Sequence, residues 1–226
     1  MASACLLSAV ILSGCWSTLP DKKYYLLNYI PVPPQTRLSV APYPFTLRFK
    51  EFAIDEAYAS PQIVYRQSPY QLQFYFYQIW AVKPMQMIND LIFKHLASVN
   101  LARGLARRYD GGQKPDFELS GTIEALDEYD SDKVWFAHMA ILFRLRRTSD
   151  DRVVYNRRFD NRKRVFKNDP QNVVKEMSAI MEFIMSQVIQ DLDVALDREA
   201  GQPGNQMPPI MGPVNSMIEV PADSGQ

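Results

Sequence analysis

Phe117-Glu118-Leu119-Ser120-Gly121-Thr122-Ile123-Glu124-Ala125 and Trp135-Phe136-Ala137-His138-Met139-Ala140-Ile141-Leu142-Phe143-Arg144-Leu145 are the stretches whose pattern decides the fold. In the first, Phe117, Leu119, Gly121, Ile123 and Ala125 share one side, opposite Glu118, Thr122 and Glu124. In the second, Trp135, Ala137, Met139, Ile141, Phe143 and Leu145 oppose His138, Arg144 and Arg146. A period of two is the signature of a strand with one face on a core. A third run from Arg152 to Phe166 repeats the pattern, and Asp150-Asp151 supplies turn residues before it. The spacing predicts three antiparallel strands, over 117–129, 133–147 and 152–166.

Outward from this block the period changes to 3.6. After it, Asp169-Pro170 reads as an N-cap followed by proline in the first turn. The stripe Val173, Val174, Met177, Ile180, Met181, Ile184, Val188, Leu192 and Ala195 carries a helix to about Arg198. Before it, Pro84, Ile88, Leu91, Ile92, His95, Leu96 and Val99 predict a helix over 84–99. Tyr24 to Ile30, Thr46 to Phe52, Ile63 to Arg66 and Leu72 to Trp80 are strands by composition. The order predicts an α+β fold: a single domain, with a mainly antiparallel sheet and two helices packed on one face.

Equal numbers of basic and acidic residues, 25 each, leave no global charge for a nucleic-acid or anionic-membrane grip. Both cysteines, Cys5 and Cys15, lie in the first fifteen residues, so the body contains no disulfide or thiolate chemistry. His95 and His138 offer little for a metal site and read as satisfied core or rim residues. There is no Gly-rich phosphate loop, no G-x-S-x-G and no H-E-x-x-H. Asp127, Glu128 and Asp130 sit in turn-like sequence. No catalytic residue, metal or cofactor is expected.

The opening, Met1 to Cys15, is apolar but too short to span a bilayer of about 30 Å, and reads as a signal h-region. Its end, Leu12-Ser13-Gly14-Cys15, resembles the bacterial lipobox, which implies lipidation of Cys15 after removal of residues 1–14. By resemblance to Gram-negative lipoproteins, Trp16, where an aspartate would signal retention at the inner membrane, implies the outer membrane. Residues 15–23 then form a short tether, 24–200 the folded domain and 201–226 a disordered tail of Gln, Pro, Gly, Met and Ser.

Three constellations stand out. Aromatic residues crowd Tyr65 to Trp80, with Phe74, Phe76 and Trp80 expected on one side of a strand and Tyr75 and Tyr77 on the other. Such a strand is either covered on both faces or presents one face to a partner. The arginines between Arg144 and Arg164 read as the solvent face of a hairpin, paired with Glu118 and Glu124, or as a site for an acidic partner or lipid headgroups. Met177, Met181 and Met185 are core gap-fillers or the lining of a deformable groove for an acyl chain.

The passage Ile63-Val64-Tyr65-Arg66-Gln67-Ser68-Pro69-Tyr70, continued by Phe76-Tyr77-Gln78-Ile79-Trp80-Ala81-Val82-Lys83-Pro84 to Met87, resembles the signature region of the ABC-type transport auxiliary lipoproteins. The resemblance runs from the lipobox to the final helix, over about residues 12 to 198. It implies a lipid-anchored periplasmic subunit of the outer membrane. Its implied partners are a mammalian-cell-entry (MCE) protein and an inner-membrane ABC permease and ATPase that move lipid between membranes. The residues expected to meet a partner, or a second copy in a homo-oligomer, are Tyr65, Arg66, Tyr75, Tyr77 and Trp80; those expected to meet lipid are Met177, Met181 and Met185. The other readings are a lipid carrier and an envelope-assembly chaperone.

Overall fold

The computed structural model describes residues 20–32, 42–109, 114–131 and 134–201. The expected signal peptide, Cys15 and most of its tether, and the tail after residue 201 lie outside them. The elements are β1 (Lys23–Tyr25), β2 (Tyr43–Phe49), β3 (Ala53–Ile54), a 3₁₀ turn (Glu56–Tyr58), β4 (Gln62–Ser68), β5 (Gln71–Trp80), α1 (Pro84–Val99), β6 (Ala102–Ala106), β7 (Phe117–Ser131), β8 (Val134–Arg147), β9 (Val153–Val165) and α2 (Pro170–Glu199).

All nine strands join one sheet built around β7. At 15 residues, or about 50 Å when extended, β7 is long enough to serve several partners in succession. Along one edge it pairs antiparallel with β8 over its whole length, and β8 with β9. Along the other edge β2, β3 and β4 line up end to end, each parallel to β7. β5 returns antiparallel to β4, β1 adds parallel to β5, and β6 adds parallel to β2. The sheet is therefore mixed, which corrects the expectation of a mainly antiparallel one. The long ladders are antiparallel, but five of the eight strand pairings among the described residues are parallel. Alternation reports which face a residue takes, not the direction of a neighbour reached through a crossover.

Both helices begin and end as their sequences dictate. Pro84 and Pro170 occupy first-turn positions, and the Asp169 carboxylate accepts from the Gln171 N–H at 2.8 Å. α1 stops at Asn100, which takes the left-handed conformation (φ 53, ψ 42) that asparagine tolerates. The stripe of α2, with Val173, Met177, Met181, Ile184, Val188 and Leu192, packs on the face of β8 and β9 that carries Met139, Ile141, Phe143 and Phe159. Phe143 meets Phe159 and Phe52 edge-on, and Phe49 meets Phe93 of α1. Gly121 is fixed by close approach: a Cβ there would drive into the Leu142 carbonyl oxygen and the Phe52 ring.

Two irregularities redirect side chains. The β7–β8 register shifts between Ile123 and Ala125, so one extra residue inverts the alternation. Ala125 leaves the helix-covered face, Leu126 and Glu128 take it up, and Asp127 moves to the opposite face beside His138. In β5 the partners step from Phe74 (opposite Val64) to Ile79 (opposite Gln62), which inserts an odd number of extra residues. Trp80 is thereby rotated away from the side of Phe74 and into the core.

Candidate partner interface and its supporting networks

β4 and β5 form the hairpin that carries the aromatic signature. On its helix-covered face the Tyr65 and Tyr75 rings lie 4.6 Å apart. Tyr75 Oη donates to both carboxyl oxygens of Glu128, each at 3.1 Å, and Tyr65 Oη donates to Gln73 Oε1. Glu128 is fully enclosed and meets no cationic side chain among the described residues. Burial pushes its carboxyl up to about 8, against the Tyr75 hydrogen bond and with help from Asp130 and Asp127. Burial, then the Glu128 charge, likewise raises the Tyr75 hydroxyl well above the ordinary phenol range.

The opposite face holds a charged network crossing four adjacent strands. Arg66 of β4 donates to Asp127 of β7 and to Tyr58, whose own hydroxyl lies 3.0 Å from Asp127 Oδ2. Asp127 Oδ1 accepts from His138 Nδ1 of β8 at 2.8 Å, and His138 Nε2 reaches Asp160 Oδ1 of β9 at 3.0 Å. Arg158 closes the array, with Asp160 at 2.7 Å and Glu124 at 2.6 Å. With a carboxylate on each ring nitrogen, His138 is held as the doubly protonated donor. Burial opposes that charge, but the bonds to Asp127 and Asp160 outweigh it and raise the His138 pKa. The His138 bond, joined by Arg158, holds the Asp160 carboxyl well below the usual carboxylate range. Elsewhere on the β8–β9 hairpin Arg146 pairs with Glu118 at 3.0 Å, and Arg147, Arg157 and Lys163 pair with Glu199, Asp191 and Glu176 of α2.

Over this framework β5 presents an uncovered aromatic edge. Tyr70 is 97% exposed and Phe76 85%, and Phe74 is also exposed. β1 pairs only with Gln78–Trp80, so the outer edge of Gln71–Tyr77 has no strand partner among the described residues.

The expected contact residues thus separate. Tyr65, Arg66, Tyr75 and Tyr77 are half-buried, and the first three are committed to internal hydrogen bonds. Trp80 is 3% exposed and belongs to the core, a correction that follows from the β5 irregularity. Met177, Met181 and Met185 are fully enclosed; they fill the space that a lipid groove there would need. On the β4–β5 hairpin the exposed aromatics are instead Tyr70, Phe74 and Phe76. Sequence placed Phe74 and Phe76 on one side but gave no sign that this side lies open. Asp127 and Glu128, set aside as turn residues, are the buried centres of both networks.

A groove of about 890 Å³ lies between the segment after β1 and the first half of α2. No group of three or more potential metal ligands occurs among the described residues, and none of their helices is long and apolar enough to cross a membrane.

Residues 25–188 match the family of ABC-type transport auxiliary lipoprotein components. The chain belongs to that family. Membership makes it an envelope lipoprotein that assists transport, in a family not known for enzymes. A crystal structure of a Xanthomonas campestris protein of the DUF330 family superposes with a TM-score of 0.69 at 17% identity, covering 80% of this chain and 100% of that one. A second crystal structure, of an uncharacterized protein, gives 0.59 at 16% identity, covering 76% and 99%. At such identities the likeness is one of fold. No curated protein matches the chain.

Proposed function

We propose that this lipoprotein is the outer-membrane-anchored periplasmic subunit of an ABC/MCE-type intermembrane lipid transport system, acting without catalysis as its docking component. The observation that carries the reading is the open β5 edge, where Tyr70, Phe74 and Phe76 stand in solvent on a hairpin clamped from beneath by Glu128 and Asp127. Exposed aromatics on a rigid strand whose outer edge is unpaired over Gln71–Tyr77 among the described residues suit strand addition by a partner, the main chain supplying affinity and the rings specificity. The partner in this reading is the MCE protein or a second copy of the chain, while the acyl chains of Cys15 hold the module at the membrane.

The test is Phe74→Asp with Phe76→Asp in the full lipoprotein. Both side chains are exposed, so the fold and its thermal unfolding should be unchanged while co-purification with the MCE protein, or self-association, is lost. Undiminished assembly would overturn the docking role. The carrier alternative predicts stoichiometric phospholipid in native mass spectra of the gently extracted protein.

A further inference from the structure

Residues 24–32 run as an extended ribbon over the helices with a strict division of sides. Tyr25, Leu27 and Tyr29 face inward. Leu27 N–H donates to Met87 Sδ of α1 at 3.3 Å, Asn28 N–H to Ser178 Oγ of α2 at 3.1 Å, and Tyr29 Oη meets His95 Nδ1 at 3.1 Å. The outward side is mostly apolar as well: Tyr24, Leu26, Ile30 (79% exposed) and Val32 (69%), with the exposed Asn28 as its one polar member. All four apolar residues line the groove beside α2, so they form one strip pinned in place by both helices. Four large apolar side chains in solvent on a pinned ribbon are not the scattered exposures of an ordinary surface.

We infer that this strip is the membrane-resting surface of the domain, with Leu26, Ile30 and Val32 seated at the headgroup–acyl boundary and Tyr24 at headgroup level. The inference rests on the reading of Cys15 as the acylated terminus and adds which face of the domain that anchor turns to lipid. The length of chain argues for lipid over any other occupant: Cys15 to Tyr24 is nine peptide steps, at most about 30 Å. The strip thus leads straight back to the anchor, and the bilayer is the one surface always within its reach. Charge defines the kind of lipid. Lys23 and Lys175 on the groove wall are matched by Asp169 and Glu182, so insertion relies on apolar burial and suits zwitterionic headgroups. Tyrosine at the rim follows the preference of amphipathic rings for the interface.

The processed lipoprotein offers a clean probe site, because Cys5 is removed with the signal peptide and an acylated Cys15 has no free thiol. Ile30→Cys labelled with an environment-sensitive dye, in phosphatidylethanolamine-rich vesicles carrying spin-labelled lipid, should be blue-shifted and quenched about threefold or more. The signal should hold from about 0.05 to about 1 M salt, since screening weakens exposed charge contacts but not apolar burial. The same dye at Phe76→Cys should report water. Leu26→Asp with Ile30→Asp should still float with vesicles through the acyl chains, while a dye at Val32→Cys loses its quenching. Protein that floats with position 30 unquenched overturns the strip and leaves the anchor standing; protein that fails to float overturns both. A dye at position 30 shielded equally without vesicles shows a protein partner there and overturns the inference.

Discussion

Glu128→Gln is expected to stabilise the protein, and increasingly so as pH rises. The folded state holds this carboxyl at about 8 against 4.5 for the free group, so between those values the unfolded chain releases a proton that the folded chain keeps. The unfolded state then binds fewer protons, and stability falls as pH rises through the window. From the two values, the penalty is about 1 kcal/mol at pH 5 and about 4 kcal/mol at pH 7.5. Glutamine keeps the shape and an acceptor for Tyr75 Oη but has nothing to ionise. Urea unfolding of both proteins at the two pH values should show the stability difference widening by about 3 kcal/mol towards pH 7.5, since the two chains differ only in the group at position 128. A difference that stays constant, or a variant weaker at both pH values, would refute the idea that Glu128 is held neutral beneath the tyrosines.

His138→Gln should act with the opposite sense. Because the folded pKa of His138 is raised, its contribution is complete below about 6.5 and is lost as pH climbs through the folded value, so the deficit of the variant in urea should be larger at pH 6 than at pH 9. Gly121→Ala should cost about 3 kcal/mol or more, or prevent folding, since the added methyl meets backbone on β8 as well as the Phe52 ring; a loss under about 1 kcal/mol in thermal unfolding would contradict that packing. Asp169→Ala removes the N-cap acceptor of α2 and should cost about 1 kcal/mol, seen as a lower urea midpoint with an unchanged slope.

The parts of the fold that were legible in the sequence are those governed by local pattern. Pro84–Val99 and Pro170–Glu199 carry both a periodic stripe and a terminal signal, and the β7–β8–β9 meander alternates with a turn at Asp151, which takes φ 61. β6 was hidden because Arg103 and Gly104 interrupt any alternation in a five-residue strand. The parallel pairings of β2, β3 and β4 on β7 were hidden because their partners arrive from 60 or more residues away. The candidate site suffered most. Asp127-Glu128-Tyr129-Asp130 has the composition of a turn, yet it continues the central strand, and the compensating groups, Arg66, Tyr58, His138 and Tyr75, come from other elements. Only the shift after Ile123 decides which carboxyl meets cations and which meets tyrosines.

That shift and its counterpart in β5 together explain how an aromatic hairpin can stay open. A flat apolar edge is an aggregation hazard, and proteins blunt it or cover it. Here the insertion in β5 turns Trp80 inward to anchor the strand end, while Tyr75 of β5 and Arg66 of its partner β4 fasten the hairpin to neighbouring carboxyls one residue apart in β7. Phe74 and Phe76 are then left outside on a strand that cannot fold them away without breaking buried hydrogen bonds. β1 binds the same strand, in register from Lys23 opposite Gln78, and continues directly into the apolar ribbon. If that ribbon rests on lipid, the open edge begins one strand spacing, about 5 Å, from the chain that enters it. A partner engaging Phe76 must then approach alongside the bilayer, which fits a component that completes a path to the membrane better than one that reaches across the periplasm. Cross-links from position 76 should accordingly capture partner residues that lie close to the membrane, and capture of residues far along the partner from its membrane-facing end would refute that geometry.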